Sequence, residues 1–407
     1  MIKYSKALTS IALSALLLAS CGSSSSTQAP QEEDNTTQEE NTTQEENLTQ
    51  ATTTPYLRVA VLEGNWSSVP AVADIIASSI NTNDENKTLD YPTNWVVAGA
   101  NHEQGEDYNK SVDILGIPVG DTNQKASVVE LCNGAYAKMA INTGRFHGPA
   151  LPCEVSVHSD GEKTYVDILN PEGIFSIFFN DYNDSTGMMA NMATTVKDEI
   201  TGMITHALSD ANITYAQKSE ALGPQYTQAE IATLNSPYIV YKYQIEGKTF
   251  VKGVDDKAIA KALIHTLGDE SNPSPTIGAE LSEGASWRSA REEPLAIPNV
   301  FVVEACSPTY AKKATKLGSQ YLTALPCEFA VYVDENDETN QTLSISILNP
   351  EFMFGTMFKG AIDNALEDDK IDATEAQAFA TLPATVKEDL LKIVEYVTKE
   401  HNLTQTN

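Results

Sequence analysis

Four cysteines are the residues of this sequence whose spacing could support chemistry. Cys132 and Cys153 are 21 residues apart, and so are Cys306 and Cys327. If the chain is exported to an oxidising compartment, disulfide bonds Cys132–Cys153 and Cys306–Cys327 are the simplest prediction, each stabilising the fold by about 3 kcal/mol. The alternative is a functional thiol pair for redox chemistry or for a soft metal. Neither pair has the CxxC spacing of thiol oxidoreductases or zinc ribbons, so the spacing favours disulfides.

Three histidines are weaker candidates for binding a ligand or a metal. His147 and His158 flank Cys153, but the matching positions around Cys327 carry no histidine. His102 lies in the turn GANHEQG and could act as a general base, although a solvated turn explains it better. No nucleophile elbow, zinc-protease motif or phosphate-binding loop stands in a convincing context. The sequence therefore predicts no catalytic residue, no metal site and no cofactor.

Both cysteine pairs lie in a stretch that occurs twice. Residues 130–154 read ELCNGAYAKMAINTGRFHGPALPCE, and residues 304–328 read EACSPTYAKKATKLGSQYLTALPCE. A constant offset of 174 residues aligns both cysteines, a tyrosine and the run ALPCE. Each copy then continues into ILNPE, at 168–172 and at 347–351. This identity at fixed spacing indicates an internal duplication.

Strand-like and helix-like runs alternate in the same order in both halves. The first half opens with a β-rich run at 55–64 and a helical pattern at 67–80. These patterns predict one domain at 55–222 and a second at 223–407, with the connector within 209–236. The apolar runs IFSIFFN and FMFGTMFKG that follow each ILNPE are expected to pack on the sheet.

The N-terminal segment predicts export and attachment to a membrane. Two lysines precede a twelve-residue apolar core, which is too short to span a bilayer and is typical of a signal peptide. The run LASC, ending at Cys21, resembles the lipobox of bacterial lipoproteins, which implies removal of residues 1–20 and lipidation of Cys21. Residues 21–54 contain NTTQEE twice and are rich in acids, so they predict a disordered tether.

The charge balance excludes one class of partner. The formal net charge is −30, and no run of basic residues occurs. Because phosphate binding needs clustered Lys and Arg, a nucleic-acid partner is not expected. The acidity is typical of a soluble, self-repelling protein outside the cytoplasm.

The repeated pattern resembles a bacterial family, domain-of-unknown-function family 302. The resemblance rests on three motifs in each copy: ELCN (130–133), ALPCE (150–154) and ILNP (168–171), and then EACSP (304–308), ALPCE (324–328) and ILNP (347–350). It implies an α+β fold in which each of two tandem domains has an antiparallel sheet with helices packed on one face. It implies no established reaction. If single-domain relatives pair, the two domains form a pseudo-dimer within one chain.

These observations predict a binding or interaction protein anchored by a lipid in the bacterial cell envelope. The folded part would face the periplasm, with the outer membrane favoured over the inner because Gly22 follows Cys21. A small molecule or a protein partner of unknown identity would bind between the two domains. The alternative hypothesis is an envelope protein for redox chemistry or metal handling that uses the Cys132/Cys153 and Cys306/Cys327 pairs. The sequence favours a protein without enzymatic activity.

Overall fold

A computed structural model describes most of the chain after residue 51. The described ranges are 52–86, 95–97, 117–118, 124–151, 153–269, 271–289, 292–297, 299–324, 327–334 and 336–406. The predicted signal peptide, Cys21, most of the predicted tether and His102 lie outside these residues. Residues 55–222 are called the first repeat and residues 223–407 the second repeat below.

The first repeat contains most of its strands before its longest helix. Its strands, with the short strand that precedes it, are β1 (Thr52–Thr53), β2 (Tyr56–Glu63), β3 (Trp95–Val97), β4 (Ile117–Pro118), β5 (Lys125–Asn133), β6 (Cys153–Ser159), β7 (Lys163–Leu169) and β8 (Tyr215–Leu222). Its helices are α1 (Val69–Asn86), α2 (Gly134–Ile141), α3 (Pro171–Phe178) and α4 (Met188–Asp210), with 3-10 turns at Trp66–Ser68 and Arg145–Ala150.

The second repeat follows the same order after a short link. The link contains β9 (Tyr226–Thr227) and α5 (Gln228–Ile231). The strands that follow are β10 (Tyr238–Gln244), β11 (Arg288–Ser289), β12 (Leu295–Ile297), β13 (Val300–Cys306), β14 (Cys327–Val333), β15 (Leu343–Leu348) and β16 (Thr404–Gln405). The helices are α6 (Asp255–Leu267), α7 (Pro308–Lys316), α8 (Pro350–Thr356), α9 (Ala361–Glu367) and α10 (Ala373–Glu400), with 3-10 turns at Gly278–Glu280 and Ser319–Ala324.

The two large sheets have the same topology. In the first repeat the strand order is β3-β5-β6-β7-β2-β8, and in the second it is β11-β13-β14-β15-β10-β16. All the pairings are antiparallel, and β4 and β12 add to β5 and β13 outside these paths. The predicted fold class, two related α+β domains with antiparallel sheets, is therefore confirmed.

Each sheet buries one face under its own helices. In the first repeat α1 contacts β3, β5 and β6, and α4 contacts α1 and β2. Because side chains alternate along a strand, β6 directs Val155 and Val157 to one face and Glu154 and Ser156 to the other. Val155 and Val157 pair with apolar residues of β7 and are fully buried. The helix-covered face is thus an ordinary hydrophobic core.

The other face of each sheet is covered by the opposite repeat. The 3-10 turn Arg145–Ala150 contacts β13, β14 and β15, while the turn Ser319–Ala324 contacts β5, β6 and β7. The guanidinium of Arg145 donates to the carbonyl of Val333 at 2.7 Å. A Cβ at Gly148 would lie 2.5 Å from the Cβ of Ala330, so only glycine allows this approach. Equivalent turns of the two repeats therefore each pack against the sheet of the other repeat.

Two parts of the sequence prediction need correction. The segment Tyr215–Leu222, which was assigned to the connector, is the edge strand β8 and pairs with β2. Thr52 and Thr53, at the end of the predicted tether, pair with Thr227 and Tyr226 of the link. The connector is therefore shorter than the polar composition suggests, because an exposed edge strand needs few apolar residues. No described helix has the length and apolarity needed to cross a membrane.

Candidate functional site

The four described cysteines carry free thiols, so the predicted disulfides are not formed in this structure. The strand register supplies the reason. Cys153 lies directly opposite Leu131, and Cys132 is the next residue along β5, so its side chain leaves the sheet on the other side. In the same way, Cys327 lies opposite Ala305, and Ala305 is the residue just before Cys306. The constant separation of 21 residues places the members of each pair near one another without aligning their side chains.

Burial keeps these thiols protonated. It raises the pKa of Cys306 to about 11 and that of Cys327 to about 12. Burial, followed by the charge of Glu154, raises the pKa of Cys153 well above its usual value. Because the thiolate is the nucleophile and the metal ligand, burial makes Cys153, Cys306 and Cys327 poor candidates for either role.

The two described candidate histidines belong to separate networks. The Nε2 atom of His147 lies 3.1 Å from Asp181 Oδ1, and its Nδ1 atom lies 2.7 Å from Thr143 Oγ1. His158 Nε2 lies 2.8 Å from Asp167 Oδ2, and the same carboxylate accepts from Arg58. Among the described residues, no three His, Cys, Asp or Glu side chains are arranged to hold a metal ion. The structure does not bring the histidines together with a cysteine as a ligand set.

Four glutamates lie on the sheet faces between the repeats. Glu130 pairs with Glu154 across β5 and β6, and Glu304 pairs with Glu328 across β13 and β14. The two pairs occupy equivalent positions at the offset of 174. All four residues are at most 5% exposed. We call them the carboxylate cluster.

Within the carboxylate cluster, the surroundings of Glu154 and Glu328 favour protonation. Burial, and then repulsion from Glu304, raises the pKa of Glu154 well above its usual value. Burial, and then repulsion from Glu154, Glu304 and Glu130, does the same for Glu328. One oxygen of Glu154 and one of Glu328 have no hydrogen-bond partner, and both residues line a cavity of about 20 Å³ between the repeats. That space holds about one water molecule.

A second repeated cluster fixes the long helix of each repeat. Glu199 of α4 accepts from Trp95 Nε1 at 2.7 Å and from the Tyr136 hydroxyl at 2.8 Å. The equivalent residue of α10, Asp389, accepts from Trp287 Nε1 at 3.2 Å and from the Tyr310 hydroxyl at 2.8 Å. Each carboxylate thereby ties the long helix to the edge strand and the short helix beside it. Trp95 and Trp287 are buried, and each donates a hydrogen bond to the carboxylate of the long helix.

Two larger cavities of the described structure lie along the long helices. One, of about 550 Å³, lies between α3 and α4 with α5 at one side. The other, of about 380 Å³, lies between α8 and α10. We call them the first groove and the second groove. The apolar runs after ILNPE fall largely in α3 and α8, and each of these helices contacts the long helix of its own repeat.

The two grooves are lined by equivalent residues. Alignment of ILNPE with ILNPE, and of TVKDEI in α4 with TVKEDL in α10, matches most of the positions that line them. The matched pairs are Glu172 and Glu351, Phe175 and Phe354, Ser176 and Gly355, Phe179 and Phe358, Met189 and Phe379, Ala190 and Ala380, Ala193 and Pro383, and Thr194 and Ala384. The same groove has therefore been kept in both copies after duplication.

The ILNPE motif explains how each groove begins. Its Asn follows the strand and takes the N-cap position of the helix, where the side chain of Asn349 accepts from the backbone N–H of Glu351. Its Pro takes the first helical position, and its Glu lies in the first turn. That glutamate reaches a lysine of the long helix: Glu172 lies 2.8 Å from Lys197, and Glu351 lies 2.6 Å from Lys387. Each groove thus has an apolar interior and one ion pair at its rim.

Two aromatic rows lead from the grooves to the interface between the repeats. In the first row Phe175, Phe179, His147 and Tyr238 follow one another with ring centroids 5.4, 4.5 and 5.2 Å apart. The second row consists of the equivalent residues Phe354, Phe358, Tyr321 and Tyr56, with centroids 4.7, 4.5 and 5.5 Å apart. Each row starts in one repeat and ends on the first long strand of the other.

The sequence also contains patterns that point to the aromatic rows and to the carboxylate cluster. The phenylalanines three and seven residues after each ILNPE glutamate match between the copies, at helical spacing. The Glu beside each cysteine also matches, inside strands that are otherwise apolar. A charged residue repeated within a buried strand indicates a special environment. Neither pattern reveals that the two sheets face one another.

Comparison with known proteins identifies the repeated domain. The family model described as "Domain of unknown function DUF302" matches residues 118–207 and again residues 288–382. The first match spans β5 to most of α4, and the second spans β11 to the middle of α10, so the two copies are matched over equivalent elements. No curated protein and no solved structure matches the chain. Two tandem regions of the chain, one in each repeat, match the DUF302 model.

Proposed function

We propose that this protein is a lipid-anchored binding protein of the bacterial cell envelope, with one ligand site in the groove of each repeat. The observation that carries the proposal is the set of eight matched positions that line both grooves. Cavities of about 550 and 380 Å³, lined by apolar and aromatic side chains with a few polar groups, have the size and lining of sites for small organic molecules.

The grooves support this function better than the space between the repeats does. The sequence led us to expect the ligand between the domains, but the cavity there is about 20 Å³. Its polar lining consists of Glu154, Glu328 and Thr323, with no basic side chain. In this proposal the interface holds the repeats together as an intrachain pseudo-dimer, and the ligands bind elsewhere.

The anchor part of the proposal rests on the N-terminal sequence. The signal-like core, the LASC run and the acidic segment that follows support lipidation of Cys21 and a tether into the periplasm. Replacing Cys21 by Ala should remove the mass of the lipid and leave residues 1–20 attached. A wild-type protein whose intact mass shows residues 1–20 still present and no lipid on Cys21 would contradict the anchor.

The redox alternative has less support. Its thiols would have to ionise, and burial raises the pKa of Cys153, Cys306 and Cys327 in the opposite direction. The free thiols remain available for oxidation if the strands open, so the thiol state of the protein in its own compartment is worth measuring beside the bound ligand.

Native mass spectrometry of the full-length protein, extracted in detergent from its own membranes, tests the groove function. We expect noncovalent adducts of up to two molecules per chain. Ala190→Trp should remove one and Ala380→Trp the other, because both alanines line a groove and are exposed. Asp198→Trp, at an exposed position of α4 outside the groove, is the control. A protein without adducts, or adducts that survive both groove substitutions, would overturn the proposal.

A further inference from the structure

The aromatic rows differ at the end that lines each groove. In the second row Phe354 and Phe358 are nearly parallel, at 11°, and Phe358 and Tyr321 are also stacked, at 22°. In the first row Phe175 meets Phe179 edge to face, at 82°, and Phe179 is tilted by 52° against His147. Equivalent residues therefore build a flat stack in one repeat and a crossed arrangement in the other.

Exposure adds to this difference. Phe354 lines the second groove and is only partly buried, whereas Phe175 is 8% exposed. Aromatic rings pair best in offset-stacked or edge-to-face geometry, and an existing parallel stack presents its outermost ring for one more flat partner. The other groove-lining side chains near the stack, such as Phe379 and Pro383, are apolar and add no competing hydrogen bond.

Charge narrows the ligand class further. Glu351 at the rim of the second groove has a half-exposed side chain, at 51%, and the chain as a whole carries a formal charge of −30. Lys387 already pairs with Glu351, so the lysine does not offer an unopposed positive charge. The resulting negative electrostatic potential disfavours the binding of anions and favours neutral or cationic molecules.

We propose that the second groove binds a flat aromatic ring of a neutral or cationic ligand, stacked on Phe354 as the next member of the aromatic row. This rests on the proposed function, because it requires the grooves to be ligand sites. The first groove, with its crossed rings and larger volume, binds apolar groups without a preference for flat ones. The two repeats thus have the same groove with different selectivity.

The test compares 2-phenylethylammonium with 2-cyclohexylethylammonium, which carry the same charge and the same number of carbon atoms, by titration calorimetry of the full chain in detergent. In the A190W protein, where only the second groove is open, we expect the phenyl compound to bind about three- to tenfold more tightly. In A380W, where only the first groove is open, the two should differ by less than about twofold. The anion 3-phenylpropionate should bind more weakly than 2-phenylethylammonium to A190W.

A second variant locates the aromatic contact. Phe354→Leu keeps an apolar side chain in the groove and should abolish the phenyl preference of A190W while leaving cyclohexyl binding within about twofold. Equal binding of the two amines to A190W, or a preference that survives F354L, would overturn the stacking proposal and leave the groove function intact. If neither amine binds to the wild type, A190W or A380W, the proposed function itself fails.

Discussion

Glutamates at the interface between the repeats and glutamates at the two grooves differ in burial and in pairing. At the interface four glutamates are at most 5% exposed, and at least two of their oxygens have no hydrogen-bond partner. At each groove the single matched glutamate is half-exposed and bound to a lysine. A buried carboxylate oxygen without a hydrogen-bond partner is costly, so such acids persist where packing holds them in place. The interface is therefore closely packed around buried acids, whereas the matched glutamate at each groove rim is partly exposed to solvent and paired with a lysine.

The largest expected effect comes from disturbing the close packing at Gly148. The equivalent position of the second repeat is Leu322, which shows that the turn itself accepts a large side chain. Gly148→Leu would force a side chain against Ala330 and Val300 and should lower the free energy of unfolding by about 3 kcal/mol. Gly134→Ala is the control, because a Cβ there meets nothing within 4 Å. Chemical denaturation measures both; equal stability of G148L and G134A would show that the repeats are not packed as described.

The next effect is a dependence of stability on pH that comes from the carboxylate cluster. Burial raises the folded-state pKa of Glu154 and Glu328 above the unfolded value of about 4.3. Their protonation therefore stabilises the fold fully below about pH 4.3, and this contribution is lost as the pH rises through the folded-state pKa. The double variant Glu154→Gln, Glu328→Gln mimics the protonated acids and should be more stable than the wild type by about 2 kcal/mol at pH 8.

The matched control for this pair is Glu172→Gln at the groove rim. Glu172 is ion-paired and 41% exposed, so E172Q should keep the pH dependence of the wild type. Unfolding midpoints across pH 5–9 in denaturant distinguish the variants. If the double variant loses stability with rising pH as steeply as the wild type, the buried acids are not protonated at the interface.

A smaller effect is expected from the anchors of the long helices. Tyr136→Phe and Tyr310→Phe each remove a hydrogen bond to a buried carboxylate, and each should cost about 1.5 kcal/mol. Similar losses for the two variants would show that the groove walls are held in the same way in both repeats. Tyr165→Phe removes a bond to the exposed Asp160 and should cost less than about 0.5 kcal/mol. Losses for Y136F and Y310F as small as that of Y165F would argue against this anchor.

The sequence predicted more of the secondary structure and fold class than of the candidate site. The duplicated motifs predicted the two repeats, helical spacing at 67–80 predicted helix α1, and the family resemblance implied the antiparallel sheets. The face that carries Glu130 and Glu154 could not be predicted to be buried, because its cover comes from the turn Ser319–Ala324, which is 165 or more positions away. The disulfide prediction failed for a similar reason: a spacing of 21 residues does not determine the strand register, and a shift of one residue reverses the direction of a side chain.

The smallest effect is expected at the groove rims. Lys197→Met and Lys387→Met break the ion pairs with Glu172 and Glu351, whose side chains are 41% and 51% exposed. Exposed pairs contribute little, so the free energy of unfolding should change by less than about 0.5 kcal/mol. Thermal unfolding measures this. A loss comparable with that of G148L would mean that the rim belongs to the structural core and would remove the contrast between grooves and interface.

A crystal structure of the protein with 2-phenylethylammonium tests the central claim most directly, because it shows where a ligand binds rather than whether one binds. The account predicts ligand density in the second groove against Phe354, density in the first groove at higher concentration, and none between the repeats. Density beside Glu154 and Glu328 with both grooves empty would contradict it.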